Sequence, residues 1–193
     1  MQKKTFKPTG LPGNEFALKH LIYLSRNDYK HLETQQNTRS GSLFVEIKGF
    51  VLRAEKLDAI SDGEVGLSSF FRESLRVSKL DELVLRPFAT RELNPLDRVE
   101  VQVEIAYRDE DEVQPDKNGA VTVAEQELVQ ALRLLTDGRF LNLNEILPLS
   151  LMGGGLILKA SVKAVESLKD GNEGLTFGVL EKESEVSVSV VSA

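Results

Sequence analysis

The residues that could do chemistry are few, and their spacing forms no catalytic pattern. The chain has two histidines, His20 and His31, and no cysteine. A hydrolytic triad or a zinc site needs more partners at defined spacing, so both histidines are predicted to be ordinary surface or strand residues. The glycine cluster Gly153–Gly155 precedes Leu156 and lacks the Lys and Ser or Thr of a phosphate-binding loop. It predicts a hairpin turn.

Acidic residues suggest two further kinds of site. The run Asp109–Glu112 lacks the spaced carboxylates, central glycine and terminal glutamate of a calcium loop, so it predicts a solvated linker. Asp81 and Asp97 are the carboxylates that a stand-alone barrel enzyme would use for acid–base work. A deep pocket lined by both of them and by Arg72 would support that alternative.

Arg72 is the best candidate for a binding residue. It follows Phe70 and Phe71 in the amphipathic piece Leu67–Ser74, which predicts one helical turn with buried rings and an outward guanidinium. Further cations follow it in the chain: Arg76, Lys79 and Arg86. Such a group can bind carboxylates, and Arg does so in a bidentate manner. The alternative is ordinary surface charge, and the sequence leaves both readings open.

Composition and charge limit the classes of function. The chain has 193 residues, enough for one large domain or two small ones, and a net charge of −6. Residues 1–108 carry 17 basic and 15 acidic side chains, whereas residues 109–193 carry 7 and 15. The first part is therefore the better candidate to meet an acidic partner, and nothing indicates nucleic-acid binding. No apolar run suggests a membrane span or a secretory signal, and the lack of cysteine suits the cytosol.

The first part of the chain is rich in short strand-like runs. Period-two alternation is clearest in Arg98–Tyr107, and Lys30–Ser42 is polar enough to predict a loop. The other predicted strands of this part are Glu15–Ser25, Leu43–Leu52 with a bulge or turn at Gly49, Leu75–Leu80 and Leu83–Phe88. Several short strands without long helices between them predict a β-barrel or sandwich over residues 14–107.

The second part begins after a charged boundary at Arg108–Gly119. A helix is predicted over Thr122–Leu135, with a capping box formed by Thr122 and Glu125. A loop is predicted at Lys169–Gly174. The remaining predicted strands are Phe140–Leu143, Ile146–Leu151, Leu156–Val165, Leu175–Leu180 and Glu185–Val191. One helix on an antiparallel sheet is a small α+β unit.

The order of these pieces resembles a known family. The segments FALKHLIYLSRNDY, DGEVGLSSFFRESLRVSKLDELVLRPF, VQVEIAYR and AEQELVQALRLLTDGRFLNLNEILPL, followed by LILKASVKAVES and GLTFGVLEKE, resemble the N-terminal domain of the N-ethylmaleimide-sensitive fusion ATPase, the vesicle-fusing AAA+ ATPase. The likeness runs from about Phe16 to Val191 and consists of many weak positions. The alternative relative is the N-domain of the valosin-containing AAA+ unfoldase, which binds ubiquitin-like folds or cofactor motifs between its lobes.

The resemblance implies a fold and a role. Residues 1–108 would form a double-psi β-barrel, residues 109–119 a linker, and residues 120–193 an α/β roll. The domain would dock SNAP adaptor proteins and, through them, the SNARE complexes that the ATPase disassembles in vesicle transport. It would be cytoplasmic, peripheral to secretory-pathway membranes, and non-catalytic. ATP and magnesium would bind downstream modules of a hexameric parent, so no cofactor is expected in these residues.

The resemblance also implies a binding surface, a basic patch at or near the groove between the lobes. Arg72 matches the family's arginine in the short helix, and Arg76 and Lys79 follow it. The family's basic pair after the last barrel strand falls on Asp109 and Glu110, which inverts the charge and leaves Arg108 adjacent. The family's early arginine falls on Gly10, with Lys7 the nearest cation. The expected adaptor-binding residues are therefore Arg72, Arg108, Lys7, Arg76 and Lys79.

Overall fold

The structure, a computed structural model, describes residues 4–36, 41–89, 94–117, 120–167 and 175–191. It is a sheet-rich α+β fold with two sheets and few helices. The helices are α1 (Asn14–Ala17), α2 (Arg26–Gln36), α3 (Ser69–Leu75) and α4 (Glu125–Thr136). Among the described residues no helix has both the length and the apolar character needed to cross a bilayer.

The first sheet has seven strands and is almost a closed barrel. They are β1 (Thr5–Thr9), β2 (Ile22–Leu24), β3 (Leu43–Ile47), β4 (Phe50–Lys56), β5 (Glu64–Gly66), β6 (Leu83–Val84) and β7 (Arg86–Pro87), in the order β6-β1-β5-β2-β4-β3-β7. The two outermost strands, β6 and β7, are separated in the chain by Leu85 alone. The opposite edges of the sheet must therefore meet, which agrees with the predicted barrel.

The second sheet has five strands. They are β8 (Pro95–Arg108), β9 (Phe140–Asn142), β10 (Ile146–Leu151), β11 (Leu156–Glu166) and β12 (Phe177–Val190), in the order β10-β11-β8-β12-β9. A 3-10 turn, Met152–Gly154, joins β10 to β11, so the glycine cluster is the predicted hairpin. Helix α4 packs on this sheet and buries Leu128 and Leu132 against it.

The strand β8 corrects the expected division of the chain. The alternation of apolar and polar residues in Arg98–Tyr107 predicts a strand of the barrel. The structure instead pairs β8 with β11 and β12 at the centre of the second sheet. Alternation reports which face of a strand is buried. It does not report which sheet the strand joins. The following residues also differ from a solvated linker, because Val113 is buried in the core beneath this sheet.

Helix α2 replaces most of the predicted loop Lys30–Ser42. Its first turn is capped by Ser25, whose Oγ accepts a hydrogen bond from the Asp28 N–H at 3.1 Å. Tyr29, Leu32 and Gln36 are buried at i, i+3 and i+7 spacing on one face. The other residues of α2 are strongly polar, so the sequence shows no clear apolar stripe that would have predicted this buried face.

Other predicted elements change in type or in extent. The strand Glu15–Ser25 is reduced to β2, because α1 precedes it and His20 takes a left-handed φ of 52°. The strand Leu75–Leu80 is absent from the described chain, since α3 occupies Leu75 and a turn follows. The last two predicted strands merge in β12, and the predicted loop Lys169–Gly174 lies outside the described residues.

The start of helix α4 also differs. The helix begins at Glu125 with Ala124 at the N-cap, which makes no side-chain capping bond, so the capping box of Thr122 and Glu125 is not formed. Leu128 and Leu132 are buried on one face of the helix, which ends at Thr136. Burial of this face, rather than capping, is therefore what stabilises α4.

Candidate functional site

Helix α3 positions the candidate binding residues. Ser68 caps it, because its Oγ accepts a hydrogen bond from the Phe71 N–H at 3.2 Å. Phe71 and Leu75 are buried, whereas Arg72 is partly exposed and donates from Nη1 to the Leu67 carbonyl at 2.9 Å. One side of the guanidinium is thus held by the backbone. Arg72 is thus partly exposed, and its role in binding stays a prediction.

Arg76 ends the helix in a conformation that favours glycine. Its φ of 52° and ψ of 56° are left-handed, and its backbone N–H bonds to the carbonyl oxygens of Arg72 and Glu73. A non-glycine residue in this region costs roughly 1–2 kcal/mol. The exposed side chain lines a groove of about 400 Å³ together with Lys48 and Arg86. Acidic residues also line this groove: Glu46, Asp81 and Glu82.

The loop after α3 brings Lys79 to the first strand. Asp81 accepts a hydrogen bond from the Ser78 N–H at 2.6 Å, which folds the loop and holds the pKa of the Asp81 carboxyl below its usual value. The Lys79 ammonium lies 3.6 Å from the position that a Cβ on Gly10 would occupy. Leu80, beside it, is 94% exposed. The loop therefore presents a cation and an apolar side chain next to the end of β1.

Lys7 lies on the exposed side of β1. Phe6 and Pro8 are buried on either side of it, so the strand alternates and directs Lys7 to solvent. In the sheet Lys7 is in register with Glu64 of the parallel strand β5. The approach of Lys79 to Gly10 places a second cation near the end of the segment that carries Lys7, three residues further along the chain. We call Lys7, Arg72, Arg76 and Lys79 the cationic surface.

Arg108 belongs to a different place in the fold. It ends β8 in the second sheet, in register with Leu156, and its guanidinium lies 3.8 Å from the Glu110 carboxylate. No hydrogen bond or ion pair between described residues joins it to α3. The inverted charge at Asp109 and Glu110 therefore concerns the end of β8 and not the residues of α3. Asp109 accepts a hydrogen bond from the Asp111 N–H at 2.9 Å and shapes a turn.

Helix α3 lies at the junction of the two lobes, the barrel-like sheet and the second sheet. The Glu73 carboxylate pairs with Lys159 Nζ of β11 at 2.8 Å. Ser74 Oγ accepts a hydrogen bond from the Ile146 N–H of β10, also at 2.8 Å. Arg72 is the residue before this pair. Its guanidinium bonds to the Leu67 carbonyl of its own lobe, so the contacts between the lobes at α3 are those of Glu73 and Ser74.

Sequence reasoning missed the buried pair His20 and Glu145. His20 Nε2 lies 2.8 Å from Glu145 Oε1, and both side chains are almost fully buried. The other carboxylate oxygen accepts from the Asn142 N–H at 2.9 Å and from Asn142 Nδ2 at 3.0 Å. The imidazole also stacks on Phe71, with ring centroids 5.5 Å apart. His20 is therefore a core residue between the lobes, and the surface or strand interpretation was wrong about its burial.

Asn142 extends this network to the barrel. Its Oδ1 accepts a hydrogen bond from the Val51 N–H at 2.8 Å, and its Nδ2 donates to the Val51 carbonyl at 3.2 Å. Edge-to-face aromatic pairs surround it, and the rings of Phe44 and Phe140 have centroids 5.2 Å apart. Phe88 and Phe177 complete the cluster. The lobes are thus joined by buried polar bonds and by apolar packing.

The carboxylates of the alternative enzyme site are not brought together. Asp81 lies in the loop after α3, and Asp97 lies on β8 of the second sheet. The groove that contains Asp81 is lined by neither Asp97 nor Arg72. Among the described residues, no group of three or more His, Asp or Glu side chains is arranged to hold a metal ion.

Comparisons with known proteins add no identification. No protein-family model matches the chain, and no curated protein matches it.

Proposed function

We propose that this chain is the adaptor-docking N-domain of a vesicle-fusing AAA+ ATPase. In this proposal the barrel-like sheet is a double-psi barrel, and the second sheet with α4 is an α/β roll. The domain grips the acidic part of a SNAP adaptor, through which the parent hexamer reaches SNARE complexes at cytoplasmic membrane surfaces. ATP and magnesium belong to modules of the parent outside these residues.

The cationic surface is the observation that carries the proposal. Arg72 is held on a capped helix, Arg76 ends that helix, and Lys79 is folded back beside β1 and Lys7. These cations come from the lobe with the more basic composition. Exposed guanidinium and ammonium groups attract an acidic partner and steer its approach.

Lys79 supports the proposal at Gly10, a position where the sequence departs from the family pattern. The family's early arginine falls on Gly10, which has no side chain. The Lys79 ammonium lies close to Gly10, 3.6 Å from the position of a Cβ there. A positive charge is therefore present at this end of β1, supplied by another segment. Beside Asp109 and Glu110 the cation that the structure describes is Arg108, which lies 3.8 Å from the Glu110 carboxylate, so we expect contacts there to differ from those of the family.

The fold supports the proposal in a general way. The first sheet is mainly antiparallel but contains two parallel pairs, β1 with β5 and β2 with β4. Parallel strands need crossover connections, and such crossings are a feature of the double-psi arrangement. The location of α3 at the lobe junction, through Glu73 and Ser74, favours a partner that contacts both lobes.

Titration calorimetry with a SNAP adaptor tests the proposal. We expect binding that weakens between 50 and 300 mM salt, because exposed charge pairs are screened over about 8–10 Å at 0.1–0.15 M salt. Arg72→Glu should weaken binding at least about tenfold. The control is Lys30→Glu, the same charge change on exposed α2 of the same lobe.

The outcomes separate the candidates. Adaptor binding that is insensitive to salt, or equal in the two variants, contradicts the proposal. Binding of ubiquitin without any binding of the adaptor favours the valosin-type alternative. The circular dichroism of Arg72→Glu must match that of the wild type, because the guanidinium also bonds to the Leu67 carbonyl.

A further inference from the structure

An exposed leucine lies within the cationic surface. Leu80 is in the loop between α3 and β6, and no other large apolar side chain among the described residues is as exposed. A single exposed leucine is common on protein surfaces and indicates nothing by itself. Leu80 differs in two respects, because hydrogen bonds hold the loop that carries it and because cations lie around it.

Three hydrogen bonds fix the backbone at Leu80. The Ser78 N–H donates to the Asp81 carboxylate at 2.6 Å, and the Leu80 N–H donates to Ser78 Oγ at 3.2 Å. The Asp81 N–H donates to the Ser78 carbonyl at 3.4 Å. The loop thus has a defined shape before any partner arrives. A site that is ordered in advance loses less conformational entropy on binding.

The residues that follow Leu80 lead into the groove that Arg76 lines. Asp81 and Glu82 line this groove of about 400 Å³, so Leu80 lies at its rim. We call it the α3–β6 groove. Its apolar lining residues are Val77, Leu83 and Val84. An apolar side chain that packs on Leu80 can therefore extend its contact into the groove.

Cations lie at the groove as well as beside Leu80. Lys48, in the turn between β3 and β4, has its Nζ 3.5 Å from the Arg76 carbonyl oxygen, which brings a second cation to the end of α3. Lys79 is the neighbour of Leu80 in the chain.

Two of the three carboxylates that line the groove already have partners. Asp81 accepts from the Ser78 N–H, and Glu46 lies 3.9 Å from Arg86. The cations at the groove and beside Leu80 therefore favour an occupant with carboxylates.

We propose that Leu80 and the α3–β6 groove bind an apolar side chain of the acidic partner. The recognised segment then combines carboxylates with at least one Leu, Ile, Met or Phe residue. Its apolar side chain packs against Leu80 and Val77, and the carboxylates that flank it reach Lys79 on one side and Lys48 and Arg76 on the other. The inference rests on the proposed function, to which it adds that charge alone does not select the partner.

Substitution of Leu80 tests the apolar contact. Because its side chain is 94% exposed, Leu80→Ser should leave the fold intact. We expect this variant to weaken binding of the SNAP adaptor at least about fivefold in titration calorimetry. The factor should be the same at 50 and 300 mM salt, since an apolar contact is not screened.

Two further variants complete this test. Lys79→Ala should weaken binding by a factor that shrinks as salt rises, because the lost interaction is one between charges. Leu134→Ser is the matched control, because Leu134 is 72% exposed on α4 of the other lobe. It should bind the adaptor as the wild type does.

Peptide selection separates this inference from the proposed function. Random nine-residue peptides displayed on phage are selected on the wild-type chain and depleted on Leu80→Ser. We expect enriched peptides in which Asp or Glu residues flank an apolar one. If the wild-type chain binds these peptides but no SNAP adaptor, the proposed function fails and the inference stands.

The opposite results overturn the inference. They are enrichment of acidic peptides without apolar residues, of basic peptides, or of none, and equal binding of the adaptor by Leu80→Ser and the wild type. In this last case, adaptor binding that weakens with salt would still support the proposed function. A dimer in sedimentation that Leu80→Ser dissociates also overturns the inference, since a second copy of the chain is then the occupant.

Discussion

His20 Nε2 and Glu145 Oε1 lie 2.8 Å apart in the buried junction of the two lobes, although 125 residues separate them in the chain. Each comes from a different lobe, and Glu145 accepts two further hydrogen bonds from Asn142. The buried Glu145 carboxylate is stable in the folded protein only while these three groups donate hydrogen bonds to it, because a buried charge without such partners costs free energy. The pair therefore makes the stability of one lobe depend on the other.

Removal of His20 tests this dependence. We expect His20→Ala to lower the free energy of unfolding by roughly 2–4 kcal/mol, because it leaves a cavity and an unpaired Glu145 oxygen. A double-mutant cycle with Glu145→Gln, measured by urea unfolding, should give a coupling of about 1–3 kcal/mol. His31→Ala is the control, since His31 is exposed on α2. A coupling of zero would show that the two side chains do not stabilise each other.

Substitutions at Asn142, one neutral and one negatively charged, test the buried network. Asn142→Ala should cost roughly 2–4 kcal/mol, because both backbone groups of Val51 lose buried partners. We expect Asn142→Asp to be more damaging at pH 7, since it places a second carboxylate beside Glu145. Urea unfolding of wild type, Asn142→Ala and Asn142→Asp at pH 7 measures the difference. An Asn142→Asp variant that is no less stable than Asn142→Ala would argue against the repulsion.

Tyr23 supplies a prediction at alkaline pH. Burial, assisted by the negative charge of Glu55, raises the pKa of the Tyr23 phenol from 10.0 to about 12. The folded state thus favours the neutral phenol, so this contribution to stability is complete below pH 10 and is lost as pH rises from 10 to 12. We expect Tyr23→Phe to flatten the decline in stability over this range.

At neutral pH the same variant should not destabilise the protein. The Tyr23 phenol oxygen has no hydrogen-bond partner among the described residues, and its ring meets Phe16 edge to face at 5.5 Å, a contact that phenylalanine retains. The expected change lies between zero and a gain of about 1 kcal/mol. A loss above 1 kcal/mol in thermal or urea unfolding would mean that the hydroxyl group is bonded.

Two substitutions at Arg76 distinguish an effect on the free energy of unfolding from an effect on binding. Arg76→Gly should raise the free energy of unfolding by about 0.5–1 kcal/mol, because glycine adopts the left-handed φ of 52° without strain. It should also weaken adaptor binding, because the charge is lost. Arg76→Ala loses the same charge but keeps the strain, so it should weaken binding without gaining stability. If both variants bind the adaptor as wild type does, Arg76 lies outside the binding surface.

Several local patterns in the sequence predicted the right element, whereas the pairing of distant segments could not be predicted. The strand β10 has its predicted bounds, Ile146–Leu151, and the turn at Gly49 joins β3 to β4 as expected. Such features depend on neighbouring residues, so patterning reveals them. The helix α2 was missed because Tyr29, Leu32 and Gln36 form only a narrow buried face in a polar segment.

In the candidate site, too, the sequence predicts local features but not the contacts between distant segments. Arg72 could be chosen from the sequence because the preceding phenylalanines and the cap at Ser68 are local to α3. The approach of Lys79 to Gly10 depends on how the loop after α3 lies against β1, and no spacing reports it. The sheet that β8 joins and the partner of His20 are likewise set by tertiary packing between distant segments.

The short strands β6 and β7 have a consequence for assembly of the protein. The strand β6 pairs with β1 over two residues, and β7 pairs with β3 over two residues. Closure of the ring therefore forms few hydrogen bonds, whereas it orders a long stretch of chain at a cost in conformational entropy. This seam directly follows the loop that carries Lys79. A partly opened barrel would lose the approach of Lys79 to Gly10, so the proposed binding of an acidic partner would depend on closure of the ring.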